Sequence, residues 1–112
     1  LEKNKISLSV GQELPISKLS EMLLNLDFKR VDFVYEPGQF AVRGGIVDVY
    51  SFARDIPVRI DFFGDEVDTI REFELETQLS QNKVDKVDIV GSQSEEKDIL
   101  YKVLTKRKYV FC

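Results

Sequence analysis

Apolar residues in the first quarter of the chain follow two different periods. Residues 6–10 alternate apolar and polar side chains, which predicts a short strand that ends before Gly11. Leucines then recur at helical spacing, and Ser17 is a suitable N-cap for a helix that extends to about Leu26. One apolar stripe of this helix comprises Leu19, Leu23 and Leu26, with Met22 beside them. We assign this stripe to the core.

From Val31 onward the apolar period changes to two, which favours strands. Pro37-Gly38 is a typical turn dipeptide, and we expect it to close a hairpin between residues 31–36 and 39–43. Side-chain alternation in such a hairpin defines two faces. The predicted buried face comprises Phe33, Tyr35, Phe40 and Val42. The predicted solvent-exposed face comprises Arg30, Asp32, Val34, Ala41 and Arg43, with Asp32 opposite Arg43.

Two further strand regions follow this hairpin. Gly44-Gly45 predicts a bulge or bend, and residues 46–50 then predict a strand. Residues 58–73 predict a second hairpin with a Gly-Asp turn. A strict two-residue loop there would set Asp61 opposite Asp68, which is a like-charge clash. We therefore expect a bulge or a longer loop in this hairpin.

The remainder of the chain predicts one more strand and a tail. Residues 77–85 are polar and predict a loop, whereas residues 87–90 predict a last short strand of the sheet. Serines after that strand offer caps for a helix over about 95–105. The predicted fold class is α+β: a twisted, mostly antiparallel sheet packed with one main helix, plus a C-terminal helical tail. Residues 1–91 would form one domain, and residues 92–112 the tail or the start of a neighbouring domain.

The composition argues against a membrane protein and against most enzyme classes. The chain has 112 residues, 43% of them apolar, and its apolar runs are far shorter than the ~20 residues that span a bilayer. It has no histidine and its one cysteine is Cys112, so the commonest general base and metal ligands are missing or terminal. We expect no catalysis, cofactor or metal in these residues. A single cysteine excludes an internal disulfide and fits a reducing cytoplasm.

The charge balance argues against direct DNA contact. The net charge is −4, whereas nucleic-acid-binding modules usually carry a basic surface. The only basic run is Lys106-Arg107-Lys108, which is typical of a solvated helix end. The chain starts at Leu1 and ends on four residues that a free-standing domain would bury, so we expect it to be part of a longer protein.

Two groups of candidate ligand-binding residues lack the spacing of known sites. Arg43-Gly44-Gly45 is followed by a predicted strand rather than a helix, and it matches neither glycine-rich phosphate motif. Asp61, Asp65, Glu66 and Asp68 surround a turn without the spacing of a calcium loop. Carboxylates in that position usually solvate an exposed hairpin.

Arg30 and Arg43 are the candidates for function, and the residues alone leave two interpretations open. They could form structural ion pairs with Asp32 or Asp48, which contribute little when exposed. They could instead form a protein-binding patch. Arginine is enriched in interface hot spots and can bind a carboxylate through two hydrogen bonds.

Three separated motifs resemble one known module. They are the run FKRVD from Phe28 to Asp32, the run PGQFAVRGGIVDVY and the run PVRIDFFGDEVDTIREF. Together they resemble the UvrB-interaction domain, or domain 2, that is shared by the excision-repair protein UvrB and the bacterial transcription-repair coupling factor, Mfd. The resemblance extends over about Ser9 to Gly91. Ala41 and the Gly-Gly-Ile run after Arg43 are more similar to the coupling-factor branch than to UvrB.

The resemblance implies a function for the two arginines. In this family the domain docks UvrA, the damage-recognition ATPase of nucleotide excision repair, and arginines at the positions of Arg30 and Arg43 are contact residues. Tyr50 is a third expected contact, although Tyr50-Ser51 stands where the family usually has Phe-Pro. In the parent protein other domains mask this surface, and ATP and Mg²⁺ belong to motor domains outside these residues. The alternatives are the equivalent UvrA-binding domain of UvrB and a nucleic-acid-binding accessory module.

Overall fold

Two β-sheets and one α-helix make up the computed structural model, which describes residues 5–91 of the chain. The elements are β1 (Lys5–Ser9), α1 (Ile16–Asn25), β2 (Lys29–Arg30), β3 (Gln39–Arg43), β4 (Ile46–Tyr50), β5 (Val58–Phe63), β6 (Glu66–Phe73), β7 (Ser80–Val84) and β8 (Lys86–Val90). This architecture confirms the α+β class with one main helix. The predicted tail helix over 95–105 lies outside the described residues.

The larger sheet has six strands in the order β2-β3-β4-β5-β6-β7. Its neighbouring strands are antiparallel, except that β2 runs parallel to β3. β1 and β8 form a separate antiparallel pair, which aligns Ile6 with Ile89 and Leu8 with Val87. The strand prediction for residues 87–90 is therefore confirmed, but its placement in the main sheet is wrong. The apolar side chains of β8 are buried against those of β1 instead.

Helix α1 carries the predicted apolar stripe, with Leu19 and Leu23 fully buried. Its start differs from the prediction, because the N-cap is Pro15 rather than Ser17. Pro15 has the extended backbone that is typical of an N-cap residue, with φ −60° and ψ 144°, and no side chain caps this end. Ser17 consequently lies inside the first turn of α1 (Ile16–Asn25).

The hairpin predicted at Pro37-Gly38 does not form. Residues 31–38, which we call the 31–38 loop, connect β2 to β3, and these two strands are parallel. The loop folds back on itself because the side chain of Gln39 is buried beneath it. Its Oε1 accepts hydrogen bonds from the backbone N–H groups of Tyr35 (2.9 Å) and Glu36 (3.2 Å). Those two donors are therefore satisfied without a partner strand.

The predicted division of this segment into two faces is also partly wrong. Phe33 and Tyr35 are each 66% exposed, whereas Val34 between them is buried. Val34 packs with Ala41 and Tyr50 in a small second core. Phe40 is fully buried in the main core, as predicted. Both faces of β3 are covered, one by the main core and the other by the 31–38 loop, so alternation alone could not assign them.

The main core lies between α1, the β1–β8 pair and one face of the six-stranded sheet. Its fully buried members include Leu8, Leu19, Leu23, Phe40, Val47, Val49, Val58, Ile60, Val67, Ile70 and Ile89. The opposite face of the sheet is charged, since register and side-chain alternation place ionisable residues there. We call it the charged face; it comprises Arg43, Asp48, Arg59, Asp61 and Arg71.

Two hairpins of the six-stranded sheet, β3–β4 and β5–β6, turn through two residues. Gly44-Gly45 forms the turn between β3 and β4, with φ +60° at Gly44, rather than the bulge or bend that was predicted. In the β5–β6 hairpin the register shifts between Asp61 and Phe62, which confirms the predicted bulge. The shift sets Asp61 opposite Thr69, whose hydroxyl donates a hydrogen bond of 2.9 Å to the Asp61 carboxylate.

Strand β7 occupies a segment that was predicted to be a loop. Residues 80–83 are all polar and exposed. The sequence therefore shows no alternation of apolar and polar side chains that would predict a strand there. The strand forms at the edge of the sheet through backbone pairing with β6. Such a polar edge strand is common, because an exposed edge is protected from aggregation by polar side chains.

Candidate protein-docking site

The two predicted arginines line the same groove at the β2 edge of the six-stranded sheet. We call it the arginine groove; its volume is about 540 Å³, and its lining comprises Arg30, Val31, Asp32, Phe33, Val42 and Arg43. The arginines do not leave the sheet on one face, as the hairpin prediction required. Arg30 pairs with Phe40 and lies on the side of α1, whereas Arg43 belongs to the charged face.

Arg43 is held on two sides by its own protein. Its Nη2 lies 2.6 Å from a carboxylate oxygen of Asp48, and its Nη1 donates a hydrogen bond of 3.0 Å to the backbone carbonyl of Asp32. The guanidinium carbon also lies 5.3 Å from the centre of the Phe33 ring. The structural ion pair with Asp48 that the sequence left open is therefore observed. The contact with Asp32 involves its backbone rather than its side chain.

Asp48 is the buried centre of this arrangement. Its carboxylate also accepts hydrogen bonds from Arg59, through Nε at 2.7 Å and Nη2 at 3.0 Å. These hydrogen bonds raise the pKa of Arg59 above its ordinary value. The Arg59 guanidinium in turn lies over the Phe73 ring at 4.3 Å. One buried carboxylate thus fixes the position of two guanidinium groups on the charged face.

Arg30 is exposed, in contrast to Arg43. Within residues 5–91 its guanidinium forms no ion pair. It separates the arginine groove from a second groove of about 570 Å³, where it lies near Ser20, Glu21 and the half-exposed Leu24 of helix α1. Arg30 is therefore available to a carboxylate from another molecule.

Tyr50, the third predicted contact, is only 9% exposed. Its ring packs against Val34 and Ala41 in the second core, and its hydroxyl donates a hydrogen bond of 2.5 Å to the backbone carbonyl of Asp55. Tyr50 therefore lies beneath the 31–38 loop and outside the lining of the arginine groove. Its role as a contact residue stays a prediction.

Phe33 and Tyr35 were missed as candidate surface residues. Both project from the 31–38 loop, and the Phe33 ring forms part of the arginine groove. Alternation assigned them to the core because a shift of one residue exchanges the two faces of a strand. No signal in the sequence distinguishes the two assignments, since the deciding contact is made by the buried Gln39 side chain.

The described residues show no cluster of side chains that could hold a metal ion. No three Asp, Glu, His or Cys side chains converge in residues 5–91. Asp61 is instead paired with Arg71 at 2.5 Å. The helix in this part of the chain is too short and too polar to cross a membrane. The chemistry that the arginine groove does offer is an exposed guanidinium beside aromatic surface.

Comparison with known proteins identifies relatives of this fold. A family model described as the UvrB interaction domain matches residues 6–94. The transcription-repair-coupling factor of Staphylococcus aureus strain USA300 is 36% identical over 88 residues, which is 79% of this chain and 7% of that protein. The corresponding factor of Staphylococcus haemolyticus strain JCSC1435 is 38% identical over 86 residues, 77% of this chain and 7% of that protein. The chain thus spans about 7% of the length of these relatives.

The match to the family model covers more than the three motifs. It runs from the second residue of β1 through the end of β8, and it includes α1 and all residues of the arginine groove. Both sheets and both arginines therefore lie within the matched segment, and the chain belongs to the UvrB interaction domain family.

Proposed function

We propose that this domain is a non-catalytic docking module of a transcription-repair coupling factor, and that it binds UvrA in nucleotide excision repair. The observation that carries the proposal is the family match over residues 6–94, together with relatives that are named transcription-repair-coupling factors. The match supports a role as an interaction domain in DNA repair. The choice of UvrA as partner, and the bacterial cytoplasm as location, are parts of the proposal.

The geometry of the arginine groove supports a protein partner. Arg30 is exposed and forms no ion pair within the described residues, so it offers its full set of donors to a carboxylate of UvrA. Arg43 contributes positive charge to the same groove. We include Tyr50 in the proposed docking site as a residue that supports the 31–38 loop from beneath, because it is buried there.

The proposal also assigns parts to the longer protein. ATP and Mg²⁺ would bind in motor domains outside these residues, and other domains of the parent would cover the arginine groove until UvrA is recruited. This chain matches 7% of the relatives' length, so these statements concern the remaining 93%.

The test is a calorimetric titration of purified Staphylococcus aureus UvrA into the 112-residue chain. We expect Arg30→Ala to weaken binding by about tenfold, which is typical of a lost interface hot spot. The Arg30→Ala/Arg43→Ala double variant should lose more. Lys83→Ala is the matched control, because this exposed cation lies on β7 at the opposite edge of the sheet.

Two results would contradict the proposal. One is the absence of any binding by the unsubstituted chain, provided that its circular dichroism spectrum shows a folded domain. The other is full affinity of the double variant, which would show that neither arginine contributes to UvrA binding. Equal losses in Arg30→Ala and Lys83→Ala would indicate a general electrostatic attraction, and would likewise contradict a localised site.

A further inference from the structure

We infer that aromatic side chains of the 31–38 loop are the principal anchors for UvrA, and that Arg43 is a positioning residue for this loop. Phe33 and Tyr35 would enter an apolar cleft of UvrA, and Arg30 would bind a carboxylate at the border of that cleft. The inference rests on the proposed function, because it takes UvrA as the partner. It differs from the proposed function because it assigns the main contact to the aromatic rings rather than to the two arginines.

The first observation is that both rings are exposed on the same loop. Phe33 and Tyr35 are each 66% exposed, and they flank the buried Val34. Val34 between them is fixed in the second core, and its two neighbours project away from that core into solvent. Large aromatic side chains on one surface loop, next to an arginine, have the composition that distinguishes interface hot spots from ordinary surface.

The second observation is that the loop is held in place before any partner binds. The Gln39 side chain binds the backbone of Tyr35 and Glu36 from below. At the two ends of the loop, Val31 N–H donates to the Phe40 carbonyl at 2.9 Å and Gly38 N–H donates to the Tyr50 carbonyl at 2.8 Å. A preorganised loop loses little conformational entropy on binding, so its aromatic contacts are converted more fully into affinity.

The third observation concerns the hydrogen bonds of Arg43. Its Nη2 is paired with Asp48 and its Nη1 with the Asp32 carbonyl, so its terminal nitrogens already have partners. A carboxylate of UvrA would meet a guanidinium whose two terminal nitrogens already donate hydrogen bonds to Asp48 and to the Asp32 carbonyl. The same guanidinium connects the charged face to the 31–38 loop and lies against the Phe33 ring. Arg43 therefore holds the 31–38 loop in a fixed position relative to the charged face.

Charge and shape together specify the partner surface. The groove that Phe33 lines also carries Arg30, which has no ion-pair partner in the described residues, so we expect at least one carboxylate on the complementary surface of UvrA. The rings require apolar surface next to that carboxylate. An acidic residue at the rim of an apolar cleft satisfies both conditions, and the exposed Arg30 offers a two-bond contact there.

The test compares aromatic variants in the same UvrA titration. We expect Phe33→Ala to weaken binding at least about tenfold, and Phe33→Ala/Tyr35→Ala by about a hundredfold or more, as for paired hot-spot residues. Phe63→Ala is the matched control, because Phe63 is 80% exposed but lies at the β5–β6 turn. Its affinity should stay within about twofold of the unsubstituted chain, since isolated surface residues away from an interface contribute little.

Arg43→Lys tests the positioning role. Lysine keeps the positive charge, but it lacks the planar fork that connects Asp48 to the Asp32 carbonyl. We expect it to weaken UvrA binding nearly as much as Arg43→Ala does. Hydrogen exchange of the Tyr35 and Glu36 amides should become faster in both variants, which a contact role alone would not cause.

The outcomes separate this inference from the proposed function. If the unsubstituted chain does not bind UvrA, the proposed function is wrong. If the chain binds, and Arg30→Ala weakens binding while the aromatic double variant keeps full affinity, only the inference is overturned. Full affinity of Arg43→Lys with unchanged amide exchange would overturn the positioning role of Arg43.

Discussion

Asp48 organises the charged face as a single buried carboxylate. It is 2% exposed, and its two oxygens accept hydrogen bonds from Arg43 and Arg59. A buried carboxylate is tolerated only when such partners replace the water that it has lost. The same contacts keep the two guanidinium groups at fixed positions on neighbouring strands. Asp48 thus connects the stability of the sheet to the placement of Arg43.

Replacing Asp48 by Asn should therefore be strongly destabilising. The variant removes the negative charge between two guanidinium groups, and we expect the free energy of unfolding to fall by on the order of 3 kcal/mol. Urea denaturation followed by circular dichroism measures this change. Asp68→Asn is the control, because Asp68 is an exposed aspartate on the adjacent part of the same sheet. Similar unfolding midpoints for both variants would show that the buried ion pairs contribute nothing measurable.

Phe40 is the clearest core residue that the sequence identified. The side chain is fully buried between the sheet and α1, and it belongs to the main core cluster. We expect Phe40→Ala to lower the free energy of unfolding by about 3–5 kcal/mol, as for other fully buried phenylalanines. Phe63→Ala, at an exposed position, should change it by no more than about 0.5 kcal/mol. A loss below about 1 kcal/mol in Phe40→Ala would contradict the tight packing of this site.

At the scale of single residues, the sequence placed some side chains correctly and others wrongly. Arg30 and Arg43 do line one groove, but they reach it from opposite faces of the sheet. Phe40 is buried as expected, whereas Phe33 is exposed. The difference arises because Phe40 lies in a paired strand and Phe33 in a loop. Apolar periodicity does not report which of two similar segments finds a pairing partner.

At the scale of elements, local signals succeeded where the deciding interaction lies within the element. The leucine stripe predicted α1, and the like-charge clash between Asp61 and Asp68 predicted the bulge of the β5–β6 hairpin. The 31–38 loop and β7 depend instead on interactions with residues outside the segment itself. The loop is fixed by the Gln39 side chain, and β7 is fixed by backbone pairing with β6. Neither interaction requires a periodic pattern of apolar residues in the sequence.

Gly38 ends the 31–38 loop, and its conformation makes a specific prediction about this element. It has φ +89°, and a Cβ atom there would lie 2.6 Å from Cζ of Phe52. Phe52 would have to move away from its edge-to-face contact with Phe28, whose ring centre is 6.0 Å away. We expect Gly38→Ala to destabilise the domain by about 2 kcal/mol, from backbone strain and the lost aromatic contact together.

Gly11→Ala separates these two causes. Gly11 has a similar φ of +91°, but a Cβ atom there would meet no other atom within 4 Å. Its substitution should therefore cost only the backbone strain, about 1 kcal/mol. Thermal unfolding of both variants gives the comparison. Equal losses at the two positions would mean that the contact between Gly38 and Phe52 does not constrain the loop.

At the scale of the whole molecule, the β1–β8 pair closes the main core. β1 begins at Lys5 and β8 ends at Val90, and the register places these two residues opposite each other. Ile6 and Leu8 of β1 are buried with Val87 and Ile89 of β8. The start and the end of the described segment are thus adjacent, and each covers apolar surface of the other. Such closure is typical of a domain that folds as one unit.

This closure predicts how the domain responds to truncation. A chain of residues 1–91 keeps both strands of the pair, and we expect its urea unfolding midpoint to match that of the 112-residue chain. A chain of residues 1–85 lacks β8, so the buried side chains of Ile6 and Leu8 would face water. Because that exposure removes one wall of the main core, we expect the shorter chain to lose its cooperative unfolding transition. A cooperative transition in the 1–85 chain, or its loss in the 1–91 chain, would show that the domain is closed elsewhere. UvrA titration of the 1–91 chain then measures whether the arginine groove and the 31–38 loop suffice for docking.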